Sequence, residues 1–374
     1  MRKLTVLSIA FPFAPVGPDA VGGAEQVLSR IDAALVAGGH RSLVVACAGS
    51  CTTGSLIARL AIEGRITDSH RHHTYAEYRR TIAAVLDRHD VDVIHMHGID
   101  FHEYLPPPGV PVLVTLHLPP SWYPPGVLRI DRRGTFFNCV SRSQRAACPP
   151  SDRLLPEIEN GVPVRELEFR CRRRAFAVAL GRVCPEKNLH VALDAGRIAG
   201  TAVLLGGQVF PHEAHELYFH EQIVPRLDGR RHFLGPLSFE RKRRLLSAAR
   251  CLLLPTLAPE TSSLVAMESL ACGTPVVAFP SGAIPDIVED GVTGFLVRDV
   301  AEMANAIATC DAIDPARCRA AASERFSVKR MAEQYLDLYQ RLADLSAVAI
   351  RRQRAPLVGV GSIGRDRDEL FLRR

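Results

Sequence analysis

Short apolar runs alternate along this chain with longer stretches whose apolar residues recur every three or four positions. Residues 4–10, 42–47, 91–95, 110–116 and 136–140 read as buried strands, short and almost uniformly apolar. After the first of them, Gly22-Gly23-Ala24 opens a segment with Val27, Ile31, Ala34 and Leu35 on one helical face, and Gly38-Gly39 closes it. Residues 75–89 read as a second helix. Strands alternating with helices in this way predict a parallel, doubly wound sheet.

The alternation stops at a charged stretch with few apolar residues, 165–174, which reads as a linker. It then restarts, with strands at 176–180, 203–205, 231–234 and 251–254 and helices at 215–223 and 239–249. A second α/β unit of the same kind is the expectation, and 374 residues suit two domains of roughly 150–200 each. No short-period repeat appears, which excludes a solenoid. Met331, Tyr335, Leu338 and Leu342 form one more apolar stripe at helical spacing. The predicted domains are residues 1–165 and 175–325, followed by a helix at 326–345 and a mostly disordered basic tail at 346–374.

Composition narrows the class. A hydrophobic fraction of 47% with 23% charged residues fits a soluble protein with full cores. The net charge is +6, and residues 347–374, with seven Arg against three acids, supply +4 of it. No basic face for nucleic acid follows. The ten Cys include no Cys-x-x-Cys pair, and several sit in apolar runs, which reads as free thiols in a reducing cytoplasm and no zinc. The N-terminal apolar run is broken by Pro12 and Pro15, so it reads as a first strand rather than a signal peptide. No stretch approaches the roughly 20 apolar residues that cross a bilayer. A cytoplasmic protein with only peripheral membrane contact is expected. The basic, aromatic-containing segment 70–80 would make that contact, although a solvated helix explains it more simply.

Chemistry concentrates at residues 251–279. The apolar run Cys251-Leu-Leu-Leu254 leads to Glu260, then to a predicted helix carrying Glu268, which Gly273-Thr274-Pro275 stops before a further strand at 276–279. Such a unit aims a helix N-terminus, with open N–H groups and partial positive charge, at the carboxyl edge of a parallel sheet, where phosphate binds. Two carboxylates beside a phosphate site are unfavourable unless each accepts hydrogen bonds from hydroxyls. A nucleotide-sugar offers hydroxyls at both ends, on its sugar and on its ribose.

The full string, Glu-x7-Glu268 followed by Ser269-Leu-Ala-Cys-Gly-Thr-Pro-Val-Val-Ala278, resembles the signature of family-4 glycosyltransferases, retaining enzymes of the GT-B fold. Gly181-Arg182, with Lys187 five residues on, is similar to that family's Gly-Arg-x-x-x-x-Lys element. The stretch 281–297 also resembles it, with Asp286 where Glu is common, as does Asn160-Gly161-Val162, a structural element near the hinge. The similarity covers roughly residues 3–343. One departure stands at the donor sugar: Thr261-Ser262-Ser263 replaces the usual Gly-Phe-Gly.

The resemblance implies two Rossmann-like domains facing a central cleft, with the donor bound mainly by the second and the acceptor by the first. It implies that the helix at 326–343 crosses back onto the first domain. His117, Glu260, Arg182 and Lys187 are the catalytic candidates. Arg182 and Lys187 would hold the diphosphate, one as a planar fork and the other as a point charge. Gly23, Ser262, Ser263, Leu264, Glu260 and Glu268 complete the donor set, Glu268 on the ribose; Gly22, His117 and Trp122 would serve the acceptor. Backbone after the strands at Gly206-Gly207 and 234–237 would hold the nucleobase.

No cofactor is expected, and no metal: His95-x-His97 shares a strand face but lacks a completing ligand. The partners are a nucleoside-diphosphate sugar and a glycan, lipid-linked or small-molecule acceptor. A nicotinamide oxidoreductase is excluded because neither Gly22-Gly23 nor Gly206-Gly207 extends to Gly-x-Gly-x-x-Gly. A GT-B epimerase and a non-catalytic sugar-binding protein remain as alternatives.

Overall fold

The structure, a computed structural model, describes residues 2–62, 64–169 and 173–354. Its first unit contains β1 (Thr5–Ile9), α1 (Gly23–Ala37), β2 (Arg41–Cys47), β3 (Ser55–Arg59), α2 (Asp68–Arg88), β4 (Val93–Met96), β5 (Val112–Leu116), β6 (Thr135–Cys139) and α3 (Arg142–Ala146). The strands form one six-stranded sheet in the order β3-β2-β1-β4-β5-β6, every pair parallel.

The second unit runs β7 (Phe176–Leu180), α4 (Leu189–Ile198), β8 (Ala202–Gly206), α5 (Glu213–Tyr218), β9 (Arg231–Phe233), α6 (Phe239–Ala248), β10 (Cys251–Leu254), α7 (Leu264–Ala271), β11 (Val276–Ala278), α8 (Ile284–Ile287), β12 (Gly294–Leu296), α9 (Val300–Thr309) and α10 (Pro315–Arg325). Its order, β12-β11-β10-β7-β8-β9, repeats the first sheet's topology strand for strand, again all parallel. In both sheets the winding reverses beside the first strand, between β1 and β4 and between β7 and β10. Ligands of open α/β sheets collect outside the strand ends at such reversals. Every residue of β4, β5 and β10 is buried, as strands covered by helices on both faces must be.

The last helix, α11 (Val328–Arg354), leaves the second unit and packs on the first. Met331, Tyr335, Leu338 and Leu342 bury against Leu4, Val6, Val27 and Ile31. Each large side chain buried there contributes about 1.5–3 kcal/mol, which ties the two units through one helix. Among the described residues no helix is long and apolar enough to cross a membrane.

Several expectations need correction. β3 was not legible because it is an edge strand whose residues are exposed or half-buried, so no apolar run marks it. α2 starts at Asp68, not at residue 75, because Thr67 and His70 form a capping box while the first turns carry no apolar face. In the segment 70–80, Tyr75 and Tyr78 are buried in the core, Arg71 lies over Phe13 and Arg79 donates to the carbonyl of Glu103. No aromatic face remains there for a lipid surface. The stretch 165–174 is more than a tether, since Leu167 packs into the second unit's core and Glu166 pairs with Arg30. Finally, α11 continues through residues 346–354, the first part of the predicted disordered tail; residues 355–374 lie outside the described residues.

Candidate functional site

The two reversal points face each other across a cleft that several contacts close. Asp19 Oδ1 accepts from the backbone of Phe239 at 2.7 Å, and Asp286 Oδ2 accepts from Ser143 N at 3.1 Å. Thr261 Oγ1 donates to the carbonyl of His117 at 2.7 Å. Gly23, the first residue of α1, lies against Leu264, the first residue of α7; a Cβ on Gly23 would sit 3.4 Å from Leu264 Cδ1.

On the second-unit side, Glu260 sits in the loop between β10 and α7. Gly282, at φ +57°, packs onto its backbone so closely that a Cβ would collide with Glu260 N and O. Ala283 N donates to Glu260 O at 2.7 Å, which fixes the loop further. The Glu260 carboxylate is ion-paired with Lys187 Nζ. Lys187 ends a 3-10 turn, Pro185–Lys187, whose next residue, the buried Asn188, adopts the left-handed region at φ 54°. Arg182 lies half-buried on the same loop. Ser263 caps α7 with its backbone only, so the helix N–H groups stay open to the cleft, and Ser262 Oγ is buried without a partner.

Glu268 stands farther along α7 and is 2% exposed. Its Oε1 accepts from Lys242 Nζ of α6 at 2.6 Å, while Oε2 is buried with no partner. Buried carboxylate oxygens are nearly always satisfied, so this one can take one further donor, a water or a ligand hydroxyl. The loops leaving β7, β8 and β9 are tied to one another by backbone hydrogen bonds, Gly181 N to Gly206 O at 3.1 Å and Gly207 N to Gly235 O at 2.9 Å.

The first-unit side is built differently. His117 leaves β5 and its Nε2 meets His97 Nδ1 at 3.0 Å, the two rings stacked at 5.2 Å. His117 N and Leu118 N both donate to Tyr123 Oη. Behind them His95 is held at both ring nitrogens, by Tyr339 Oη at 2.6 Å and Thr115 Oγ1 at 2.7 Å, and Thr115 continues to Asn138 and Tyr335. This network links α11 to the sheet. Burial pushes His117 down to about 3 and His95 and His97 well below the usual imidazole range, so all three are neutral. With both nitrogens engaged, His95 is no metal ligand in this arrangement. Gly22 is the N-cap of α1, and the buried Glu25 carboxyl folds over it, raised by desolvation. Trp122 is 43% exposed on the loop after β5.

Contacts thus join Lys187 to Glu260, Thr261 to His117 and Gly23 to Leu264, with Ser262 and Ser263 in the same loop, while Arg182 lies on the Lys187 loop and Glu268 sits farther along α7 against Lys242. Three participants were not expected. Lys242 is hidden in the run Lys242-Arg-Arg244, where nothing singles it out. His97 was weighed only as a metal ligand, and Thr261 only as a small residue, whereas its hydroxyl reaches across the cleft.

Comparison with known proteins bears on the family and the fold. A family model for glycosyltransferase family 4 matches residues 21–181, and one for glycosyl transferases group 1 matches residues 175–310. D-inositol 3-phosphate glycosyltransferase of Mycobacterium sp. (strain KMS) is 45% identical over 94 residues, 25% of this chain and 21% of that protein. Alpha-maltose-1-phosphate synthase of Mycobacterium tuberculosis (strain CDC 1551 / Oshkosh) is 30% identical over 192 residues, 45% of this chain and 48% of that protein. The chain therefore spans about half or less of the length of these curated relatives. Among solved structures, Anabaena Alr3699/HepE in complex with UDP-glucose superposes with a TM-score of 0.70 at 21% identity, covering 90% of this chain and 100% of that one, a likeness of fold. With the two family models meeting at the junction of the two sheets, the chain belongs to the family-4 glycosyltransferases of the GT-B fold.

Proposed function

We propose that this chain is a retaining glycosyltransferase that moves a sugar from a UDP- or GDP-sugar to a hydroxyl of a glycan, lipid-linked or small-molecule acceptor. The observation that carries this reading is the open Oε2 of Glu268, buried on α7 where Oε1 pairs with Lys242. A ribose hydroxyl is the donor that satisfies it. The UDP-glucose held by the HepE relative supports a uridine nucleotide.

Arg182, Lys187 and the open N-terminus of α7 supply the positive field for the departing diphosphate, so no metal takes part in the bond exchange. The bond from the anomeric carbon to the diphosphate oxygen breaks as the acceptor oxygen bonds that carbon from the same face. The acceptor's proton passes to the leaving phosphate oxygen. Glu260, oriented by Lys187, binds sugar hydroxyls, and neutral His117 lines the sugar from the opposite wall. Neutrality suits His117 to donate a hydrogen bond without adding charge.

A thermal-shift panel of UDP-, GDP- and ADP-sugars tests the donor, since a ligand at 100 times its Kd stabilises by about 2.7 kcal/mol. Proton NMR of the first product tests the stereochemistry; an anomeric coupling inverted relative to the donor overturns the reading. Turnover that disappears in chelator and returns with magnesium or manganese overturns the metal-free step. Incubation with donor alone separates an epimerase, which would release an altered sugar.

A further inference from the structure

Outside the cleft described above, the loop that carries Lys187 bears a second constellation. Cys184, Glu186 and His215 place one ligating atom each within 4.8 Å of one another. Cys184 and Glu186 alternate on the turn after β7, and His215 comes from α5, some thirty residues on. We infer that these three side chains form a binding site for a zinc-class divalent cation that pins the Lys187 loop to α5.

The ligand set argues for the class of ion. Thiolate, imidazole and carboxylate together suit zinc or cobalt, whereas magnesium and calcium take oxygen donors. Three protein ligands with a fourth position for water is a common arrangement for zinc. The backbone beneath is already fixed: Leu257 N donates to Glu186 O at 2.9 Å and Lys187 N to Cys184 O at 3.1 Å. His215 Nδ1 is buried with no partner, a donor or acceptor left open at the point where the trio converges. The Cys184 thiol lies 3.7 Å from the carbonyl of Arg182 and hydrogen-bonds the Glu186 carboxylate, its own partner in the trio. Charge also balances, because a thiolate and a carboxylate neutralise a dication beside Arg182 and Lys187. The His212 ring, at 5.2 Å from that of His215, is the next imidazole out. The expectation of no zinc rested on the lack of Cys-x-x-Cys, a test blind to ligands gathered from 184, 186 and 215.

The test uses tag-free full-length chain, stripped with chelator and titrated with cobalt as a spectroscopic stand-in for zinc. One equivalent is expected to bind with a thiolate-to-cobalt charge-transfer band and to raise the Tm. Cys184→Ser should abolish the band, and His215→Ala should weaken binding by more than the roughly 10–100-fold that losing a mere supporting partner costs. Both substitutions are small, and circular dichroism of the metal-free variants checks that they fold. A wild-type titration without the band overturns the site. So does a band of equal strength in Cys184→Ser, which would move the metal to another thiol such as the exposed Cys51. None of these readouts depends on the transferase activity.

Discussion

The two halves of the cleft share one sheet topology and differ in how they handle charge. At the edge of the second sheet, two lysine–carboxylate pairs stand around α7, Lys187 with Glu260 and Lys242 with Glu268, and Arg182 lies on the loop that carries Lys187. The edge of the first sheet has three neutral histidines joined to hydroxyls and an amide. Identical winding therefore sets where a ligand sits, and the side chains at the strand ends set what kind it is. A diphosphate needs fixed opposite charge. A sugar and an acceptor hydroxyl need polar groups that neither attract counter-ions nor trap the reacting oxygen.

The strongest way to break this contrast is to remove a cation from the charged half. Lys187→Ala should lower kcat/KM by about 10²–10³, the cost of losing one preorganised charge-stabilising donor. It also leaves Glu260 unpaired, so Glu260→Gln should be made in parallel; that variant should lose turnover without accumulating a glycosyl-enzyme. Steady-state kinetics on folded protein decide it, and a Lys187→Ala variant within threefold of wild type would mean that the charged edge does not hold the leaving group.

A somewhat smaller effect sharpens the role of the second pair. Glu268→Ala should weaken nucleoside-diphosphate affinity by roughly 1.5–3 kcal/mol, the contribution of a hydrogen bond to a buried charge. Because the substitution also strands Lys242, Lys242→Met and the double variant complete a cycle that separates ribose binding from the internal pair. Calorimetry showing unchanged affinity in folded Glu268→Ala removes the ribose assignment.

Much of this contrast was legible beforehand, and unevenly. The strands β7 and β10 follow from unbroken apolar runs, whereas Glu260, Glu268, Arg182 and Lys187 stand out through the resemblance of their strings to the family's motifs. β3 and the first turns of α2 were not, since an edge strand and a polar helix end carry no apolar period. Lys242 escaped for another reason. One basic residue in a basic helix gains meaning only when a carboxylate from a different element is folded against it. Thr261 escaped because a side chain that spans two units has no signature in either.

The neutral half has its own test, in pH. The three histidines have folded values below the unfolded value of about 6.5. As pH falls below that value the unfolded chain takes up protons that the folded chain refuses, so stability is present above it and is lost on acidification. For His117 the loss extends down to about 3. Tm should therefore drop steadily from neutral pH toward mildly acidic pH, and His117→Gln should make the decline shallower. An identical decline in the variant would mean that His117 is charged or solvated in the folded protein. A kcat profile free of a His117 inflection near neutrality is the kinetic counterpart.

The smallest expected effect lies where the halves touch. Thr261 Oγ1 reaches the carbonyl of His117, so the residue just after Glu260 holds the backbone of the first-unit histidine. A neutral hydrogen bond of this kind contributes about 0.5–1.5 kcal/mol net. Thr261→Val keeps the side-chain shape and deletes the hydroxyl, while Thr261→Ser keeps the hydroxyl. If the bond helps close the cleft over both substrates, Thr261→Val should lower kcat/KM by a few fold, and Thr261→Ser should restore it. On the proposed reading, in which the charged half alone holds the nucleoside diphosphate, affinity for that ligand should stay unchanged. A loss of nucleotide affinity in Thr261→Val would instead place Thr261 with the donor-binding loop, and the division between a charged and a neutral wall would no longer run along the cleft.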